Sequence, residues 1–393
     1  MVWILGLLML TVSSLSLTLE EAFDLAVRKN PEIRALESEV KRFDGLEKIA
    51  YAFPNPELNF ESGFITTDRF GRPEGRVLYL LEVSQPIPLW GVREKGRAVV
   101  REERKAFLST VEARKREILG EVYRAFYEAL FRKEVVRIWE ENLRTAEEVE
   151  EFVRRSYDLG EVTLLELLRA RRERDLAEVR LKIARAELET ALQDLSRLLN
   201  TEVRVVEGNL RDIEDIRAID LEDLPSVVAI RRRIRAVDRD IELQRTLARP
   251  TLDAGLQLQD SEEGYYGLRA TLRIRLPIFY RRQGEILERL ALKEALKNRL
   301  EGEILRIERK LRSVKIRFST LLEELRKIEE KVIPRAEEEL KLALKSYRLR
   351  AITLLELSDV RRRYYDLLIT RAQILRDIHS AYADFIAVGG VER

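Results

Sequence analysis

No cysteine occurs among the 393 residues, and histidine occurs once, at position 379. The first absence removes disulfides, thiolate metal sites, cysteine nucleophiles and an acylated N-terminal cysteine. The second, with methionine only at positions 1 and 9, leaves no set of ligands for a conventional transition-metal site. An excess of one charge is also missing. The 72 Lys and Arg against 70 Asp and Glu leave a net charge of +2, too small a basic surplus to pair with the phosphates of a nucleic acid. No segment supplies the roughly 20 consecutive apolar residues of a membrane-spanning helix. Hydrophobic residues nonetheless reach 45% and like charges are interspersed, so the chain is not a disordered one. Acids are everywhere and no pair of them is singled out. The composition therefore points to a protein that is not an enzyme and carries no cofactor.

Glu, Lys and Arg are abundant while Asn and Gln total 14. That is the pattern of hyperthermophile proteins, and also that of any helix-rich chain. Residues 2–12, VWILGLLMLTV, are apolar and are followed by Ser13, Ser14 and Ser16. A short apolar stretch before small residues predicts a signal peptide over residues 1–16, although its start carries no Lys or Arg.

The rest is written twice. Ser156–Arg171 matches Ser346–Arg361 at nine of sixteen positions, both containing Thr-Leu-Leu-Glu-Leu. Pro86-Ile87 recurs as Pro277-Ile278, Asn30–Leu36 faintly as Leu224–Ile230, and Pro56–Asn59 as Pro250–Asp253. Four anchors in one order and at nearly one spacing predict a tandem duplication. The repeats span residues 17–200 and 222–388, with a linker at 201–221 and a tail at 389–393.

Each repeat predicts a helix, two strands, a very long helix, a tight turn and another helix. The first helix covers Leu19–Ala52, with Thr18 as N-cap and Glu21 three residues on. Strands fall near 56–64 and 76–84, then near 251–259 and 265–276. They alternate: Leu58, Phe60 and Phe64 face one side, Glu57, Asn59 and Glu61 the other. In the second repeat Leu268, Leu272 and Ile274 oppose Arg269, Arg273 and Arg275. Helical hairpins follow over about 92–199 and 285–388, interrupted only by Pro334 and isolated glycines. Leu300, Ile304, Ile307, Leu311, Val314, Phe318, Leu321, Leu325 and Ile328 step by four and three, as in coiled coils. Leu181, Ala184, Leu188, Ala191, Leu195 and Leu198 do the same.

Half-wet strands of about ten residues have the length needed to cross a bilayer at a tilt. In lipid an open sheet edge leaves backbone groups unpaired, so such strands must close. Four strands are too few, which predicts oligomerisation: two copies would supply eight strands, three would supply twelve.

The chain resembles the TolC-type outer-membrane efflux proteins. The resemblance rests on Leu17-Thr-Leu-Glu-Glu-Ala22 with Asn30-Pro31, on Pro54-Asn-Pro-Glu-Leu58, on Ser84-Gln-Pro-Ile-Pro-Leu-Trp-Gly-Val-Arg93 and on both Tyr-centred hairpin repeats. Its Asn-Pro, Pro-Asn-Pro and Gln-Pro-Ile-Pro wording is most similar to the heavy-metal efflux branch. The resemblance implies a homotrimer whose twelve strands form one outer-membrane β-barrel in outer-membrane lipid. That barrel would continue into an α-helical tunnel through the periplasm. It implies a passive exit duct of a tripartite efflux or type I secretion system, joined by a periplasmic adaptor and driven by an inner-membrane pump of the RND or ABC type.

The same resemblance places a gate at the hairpin ends. Glu166 and Tyr347 match an acid-to-tyrosine tie, Asp359 an acidic ring facing the axis, and Glu356 a neighbouring acid. Ile352 and Leu165 stand where a second, polar tie is expected, with Arg348 or Arg350 as substitutes. Leu159, Gly160, Glu161 and Val162, with Leu349, Arg350, Ala351 and Ile352, match the tips that meet the adaptor. Arg269, Arg273, Arg275, Glu57 and Glu61 would face the barrel lumen. Tyr265, Tyr266, Phe279, Tyr280, Phe53 and Trp90 gather near strand ends, as an aromatic girdle or as plain junction packing. His379 is expected at the surface without a partner. Two other readings remain from the residues alone, a periplasmic coiled-coil adaptor and a coiled-coil scaffold. The strand pair present in both repeats favours the channel over either.

Overall fold

The computed structural model describes residues 16–67, 70–260 and 266–389. Residues 1–15 of the expected signal peptide, and Tyr265 of the expected girdle, lie outside them. Helices α1 (Leu19–Lys29), α2 (Pro31–Val40) and α3 (Arg42–Tyr51) precede strands β1 (Glu57–Thr67) and β2 (Pro73–Ile87). Helices α4 (Val92–Asp158) and α5 (Leu164–Leu199) complete the first repeat. Helix α6 (Pro225–Leu247), strands β3 (Thr251–Asp260) and β4 (Tyr266–Arg275), and helices α7 (Gln283–Lys327), α8 (Ile333–Arg348) and α9 (Leu354–Val388) form the second.

The single helix expected over Leu19–Ala52 is three helices. Pro31 lacks an N–H and forces the residue before it out of the helical region. Asn30 accordingly lies at φ −59°, ψ 124°. Its side-chain oxygen accepts from the backbone N–H of Glu32 at 2.9 Å and of Ile33 at 3.3 Å, capping α2. Its amide nitrogen donates to the Leu198 carbonyl at 3.0 Å, so the break is also a tie to α5. At the other end of α1, Thr18 and Glu21 close a reciprocal capping box.

The second long helix is interrupted as well. A π-helical turn at Ile328–Val332 separates α7 from α8, with the Ile333 N–H reaching back to the Ile328 carbonyl. Pro334 would clash with the carbonyl four residues earlier in a regular α-helix, and the wider turn accommodates it. By contrast α4 runs unbroken for 67 residues. Gly120 is needed within it, since a Cβ there would lie 2.7 Å from the Ala383 carbonyl oxygen of α9.

The four strands form one antiparallel sheet in the order β1-β2-β3-β4. Register aligns Phe60, Leu81, Leu258 and Leu268 in one row, and Leu58, Val83, Leu256 and Ala270 in the next. Outer edges of β1 and β4 have no strand partner among the described residues.

The chain clusters into two compact units, each drawn from both repeats. One comprises residues 1–35, 112–224 and 306–393, the other residues 36–111 and 225–305. The first unit holds the main core, where Ile118, Val122, Phe126, Leu195, Leu375 and Ile378 are buried. The segment expected as a linker belongs to that core. Leu17 bridges to Val206 in parallel, Val203, Val206 and Leu210 are buried, and Lys133 donates to the Val206 carbonyl at 2.9 Å. The second unit holds the sheet and a small apolar contact of Val237, Ile241 and Leu296.

Candidate channel gate and sheet surface

The two hairpin turns close alike. The Gly160 N–H bonds to the Tyr157 carbonyl at 2.9 Å and the Glu161 N–H to the Ser156 carbonyl at 2.8 Å. In the second turn Arg350 and Ala351 make the same bonds to Tyr347 and Ser346 at 2.9 and 2.8 Å. Each turn needs one left-handed residue, Gly160 at φ +73° and Arg350 at φ +61°. Glycine adopts that conformation freely, whereas arginine does so at a cost of about 1–2 kcal/mol. Arg350 also pairs with Glu161, which ties the two turns together. Leu159 and Leu349 stand out from the tips, 74% and 70% exposed. Val162 and Ile352 pack against the local cluster beneath them.

That cluster contains Tyr347, buried with Val153, Leu167 and Leu357. Phe152 meets its ring edge-on at 5.8 Å. Burial and then the charge of Glu166 push the Tyr347 phenol up to about 12. The structure thus brings Glu166 and Tyr347 together electrostatically, with no hydrogen bond between their side chains among the described residues. Glu356 has different work. Its carboxylate accepts from the Thr353 N–H at 2.8 Å and hydroxyl at 2.9 Å, forming the capping box of α9. Those two bonds hold it below the usual carboxylate range. Asp359 is gripped by Arg362 at 2.6 Å and Arg363 at 2.8 Å from its own helix. Wherever Asp359 faces, two guanidiniums accompany it, so it is not a bare carboxylate. Leu165 and Arg348 are exposed, and Arg350 is the one of the two arginines with a carboxylate partner, Glu161.

Two buried arginines were missed by sequence reasoning. Arg361 lies 3.4 Å from Glu173 of α5, and burial lowers its pKa. Arg371 lies 3.1 Å from Glu134 of α4. The signal was available, because Leu357, Arg361, Tyr365 and Leu368 step by four and three along one buried stripe.

His379 is not a surface residue. It is 1% exposed, with Tyr127 stacked on it at 3.5 Å. Its Nε2 lies 2.9 Å from the Leu210 carbonyl, which can only accept, so Nε2 carries the proton. Nδ1 then accepts from the Tyr123 hydroxyl at 2.9 Å. Burial lowers its pKa to about 4, keeping the ring neutral. The partner invisible in the sequence is the backbone of the connecting segment.

The sheet is inside out. Phe60, Phe64, Leu256, Leu268 and Leu272 of its apolar side are exposed, while Glu82, Ser84 and Asp253 of its polar side are buried. Arg273 reaches Glu82 at 3.5 Å and Arg275 reaches Asp253 at 3.5 Å, while Arg269 is exposed on the same polar side. Glu57 and Glu61 are exposed there, Glu61 accepting from Asn59 at 2.9 Å. Glu82 and Asp253 were legible as members of the wet alternation. The grouped aromatics separate by register: Tyr266 opposes Asp260 at one end of the sheet. Phe53, Trp90, Phe279 and Tyr280 belong to the opposite end, where the strands meet the helices.

Comparison with known proteins follows this geometry. The sequence model described as "Outer membrane efflux protein" matches residues 22–201. The cobalt-zinc-cadmium resistance protein CzcC of Cupriavidus metallidurans is 23% identical over 374 residues, covering 93% of this chain and 88% of that one. A crystal structure of CusC, described with its transmembrane channel formation, superposes with a TM-score of 0.79 at 16% identity, covering 95% of this chain and 92% of that one. The CmeC outer membrane channel of Campylobacter jejuni gives 0.74 at 16% identity, covering 95% and 85%. Residues 22–201 thus match the outer-membrane efflux proteins, a family of transport proteins, and the chain shares the fold of outer-membrane channels along nearly its whole length.

Proposed function

We propose that this chain is the outer-membrane exit duct of a tripartite efflux system, a passive channel spanning the periplasm. One observation carries the reading: a sheet whose apolar side is exposed, whose polar side buries Glu82 and Asp253, and whose outer edges have no strand partner among the described residues. In water such a sheet would be unstable, and in lipid it must close on further copies. Three copies joined edge to edge would give twelve strands, with Arg269, Arg273, Arg275, Glu57 and Glu61 toward the lumen. The helical hairpins would extend the duct toward a periplasmic adaptor and an inner-membrane pump. Leu159–Val162 and Leu349–Ile352 would offer their exposed leucines to the adaptor. The gate would lie at Tyr347, Glu166 and Asp359, with Glu356 fixing the start of α9. The efflux description of the matching family model supports export as the activity, and no site in this chain is required to grip the cargo.

Single-channel recording from the purified chain in planar bilayers tests the reading. Discrete conductance steps are expected. Asp359→Ala, by leaving Arg362 and Arg363 without their carboxylate, is expected to shift selectivity toward anions. A soluble monomer that never enters micelles and never conducts would overturn the duct and favour a coiled-coil scaffold.

A further inference from the structure

At the end of the sheet that meets the helices, aromatic and basic side chains converge. Register sets Thr251 opposite Arg275 and Ile87 opposite Leu252. Arg249, Trp90 and the stretch Leu276–Arg281 therefore share one strand end. The Trp90 indole donates to the Pro250 carbonyl at 2.9 Å, and Arg249 lies over its ring at 5.3 Å. Beyond β4, Leu276 and Ile278 are exposed, and Phe279 is 94% exposed. The apolar surface of the sheet thus continues past its last strand and ends at Arg281. Arg281 bonds only the Pro277 carbonyl through Nε at 3.3 Å and the Gln283 side chain through its backbone. Neither Arg249 nor Arg281 has a carboxylate partner among the described residues. Nearby Glu285 is taken by Arg282 at 3.3 Å and by the Tyr280 hydroxyl at 2.5 Å. Glu94 is exposed at the start of α4, Glu57 is exposed at the start of β1, and Asp253 is paired with Arg275 at 3.5 Å.

We propose that this junction binds the phosphodiester headgroup of an anionic glycerophospholipid in the leaflet facing the long helices. The inference rests on the channel reading above and extends it. A guanidinium presents paired donors that match two phosphate oxygens, and both arginines here have donors to spare. Tryptophan and phenylalanine settle at the boundary between headgroups and acyl chains. The exposed Ile278 and Phe279 enter the acyl region, while Arg249 and Arg281 remain level with the phosphates.

Trp90 is a built-in reporter. The full chain, with Trp3 and Trp139 replaced by phenylalanine, is reconstituted in vesicles of brominated phosphatidylglycerol or brominated phosphatidylcholine. Quenching is expected to favour the anionic lipid. In mixed vesicles the preference should fall about fivefold for each arginine removed in Arg249→Gln and Arg281→Gln. Arg249→Lys with Arg281→Lys should retain much of it, which separates loss of charge from loss of fold. Equal quenching by the two lipids would overturn the headgroup site and leave the channel standing. No quenching by either would overturn both. Abolition of the preference by inorganic phosphate would make the ligand a free anion and also sink the lipid site.

Discussion

The two hairpin turns carry the same five residues, Thr-Leu-Leu-Glu-Leu, at 163–167 and 353–357, and the chain has spent them differently. In the second turn Glu356 folds back onto its own N-cap, and the left-handed corner is occupied by Arg350. In the first, Thr163 still accepts from the Glu166 N–H at 3.3 Å, but Glu166 and Thr163 form no reciprocal box among the described residues, and the charge of Glu166 instead helps to raise the Tyr347 phenol. The corner there is a glycine. One copy of the motif has become a self-contained helix start, while the other has released its acid to act across the hairpins. Duplication thus kept the backbone of the turn and divided the side-chain work.

Removing Tyr347 should break this division most severely. Tyr347→Ala empties a packed site and is expected to cost about 3 kcal/mol of local stability. Hydrogen exchange should accelerate at the amides of both turns together, whereas Tyr347→Phe should leave them nearly unchanged. Acceleration confined to the second turn would mean that Tyr347 does not join the two. The corners come next. Gly160→Ala should destabilise its turn by about 1–2 kcal/mol, and Arg350→Gly should stabilise its own by about 1 kcal/mol, less the small contribution of the exposed pair with Glu161. Effects of the same sign in the two turns, read by the same exchange measurement, would contradict their shared geometry. The smallest effect separates the caps. Thr163→Ala and Thr353→Ala should each cost about 1 kcal/mol, with the larger loss at Thr353, where the reciprocal bond to Glu356 also goes. Equal losses would mean that the capping box adds nothing.

The fold class and family were legible because periodicity and duplication are sequence properties. Alternation exposed the strands, and steps of four and three exposed the long helices. The two helix interruptions were harder to read. Asn30-Pro31 and Pro334 were noticed, but a proline can either end a helix or be absorbed by a wider turn, and packing decides which. His379 was misread for a similar reason. Its partners are Tyr123, 256 residues away, and a backbone carbonyl, which no side-chain pattern reveals. At the hairpin ends, the resemblance pairs Glu166 with Tyr347 but does not reveal that Arg362 and Arg363 hold Asp359. Their spacing of three and four residues from Asp359 was enough to suggest it.

The interleaving of the repeats has a consequence for how the protein is made. The core of the first unit needs α9, the last of the described helices along the chain, to cover α4 and to trap the connecting segment through His379. The first repeat therefore cannot finish folding as it emerges, and must wait, largely unpacked, until the final residues have followed it. A stop codon just before α9 would therefore remove more than one helix: it would leave the first unit without much of its core.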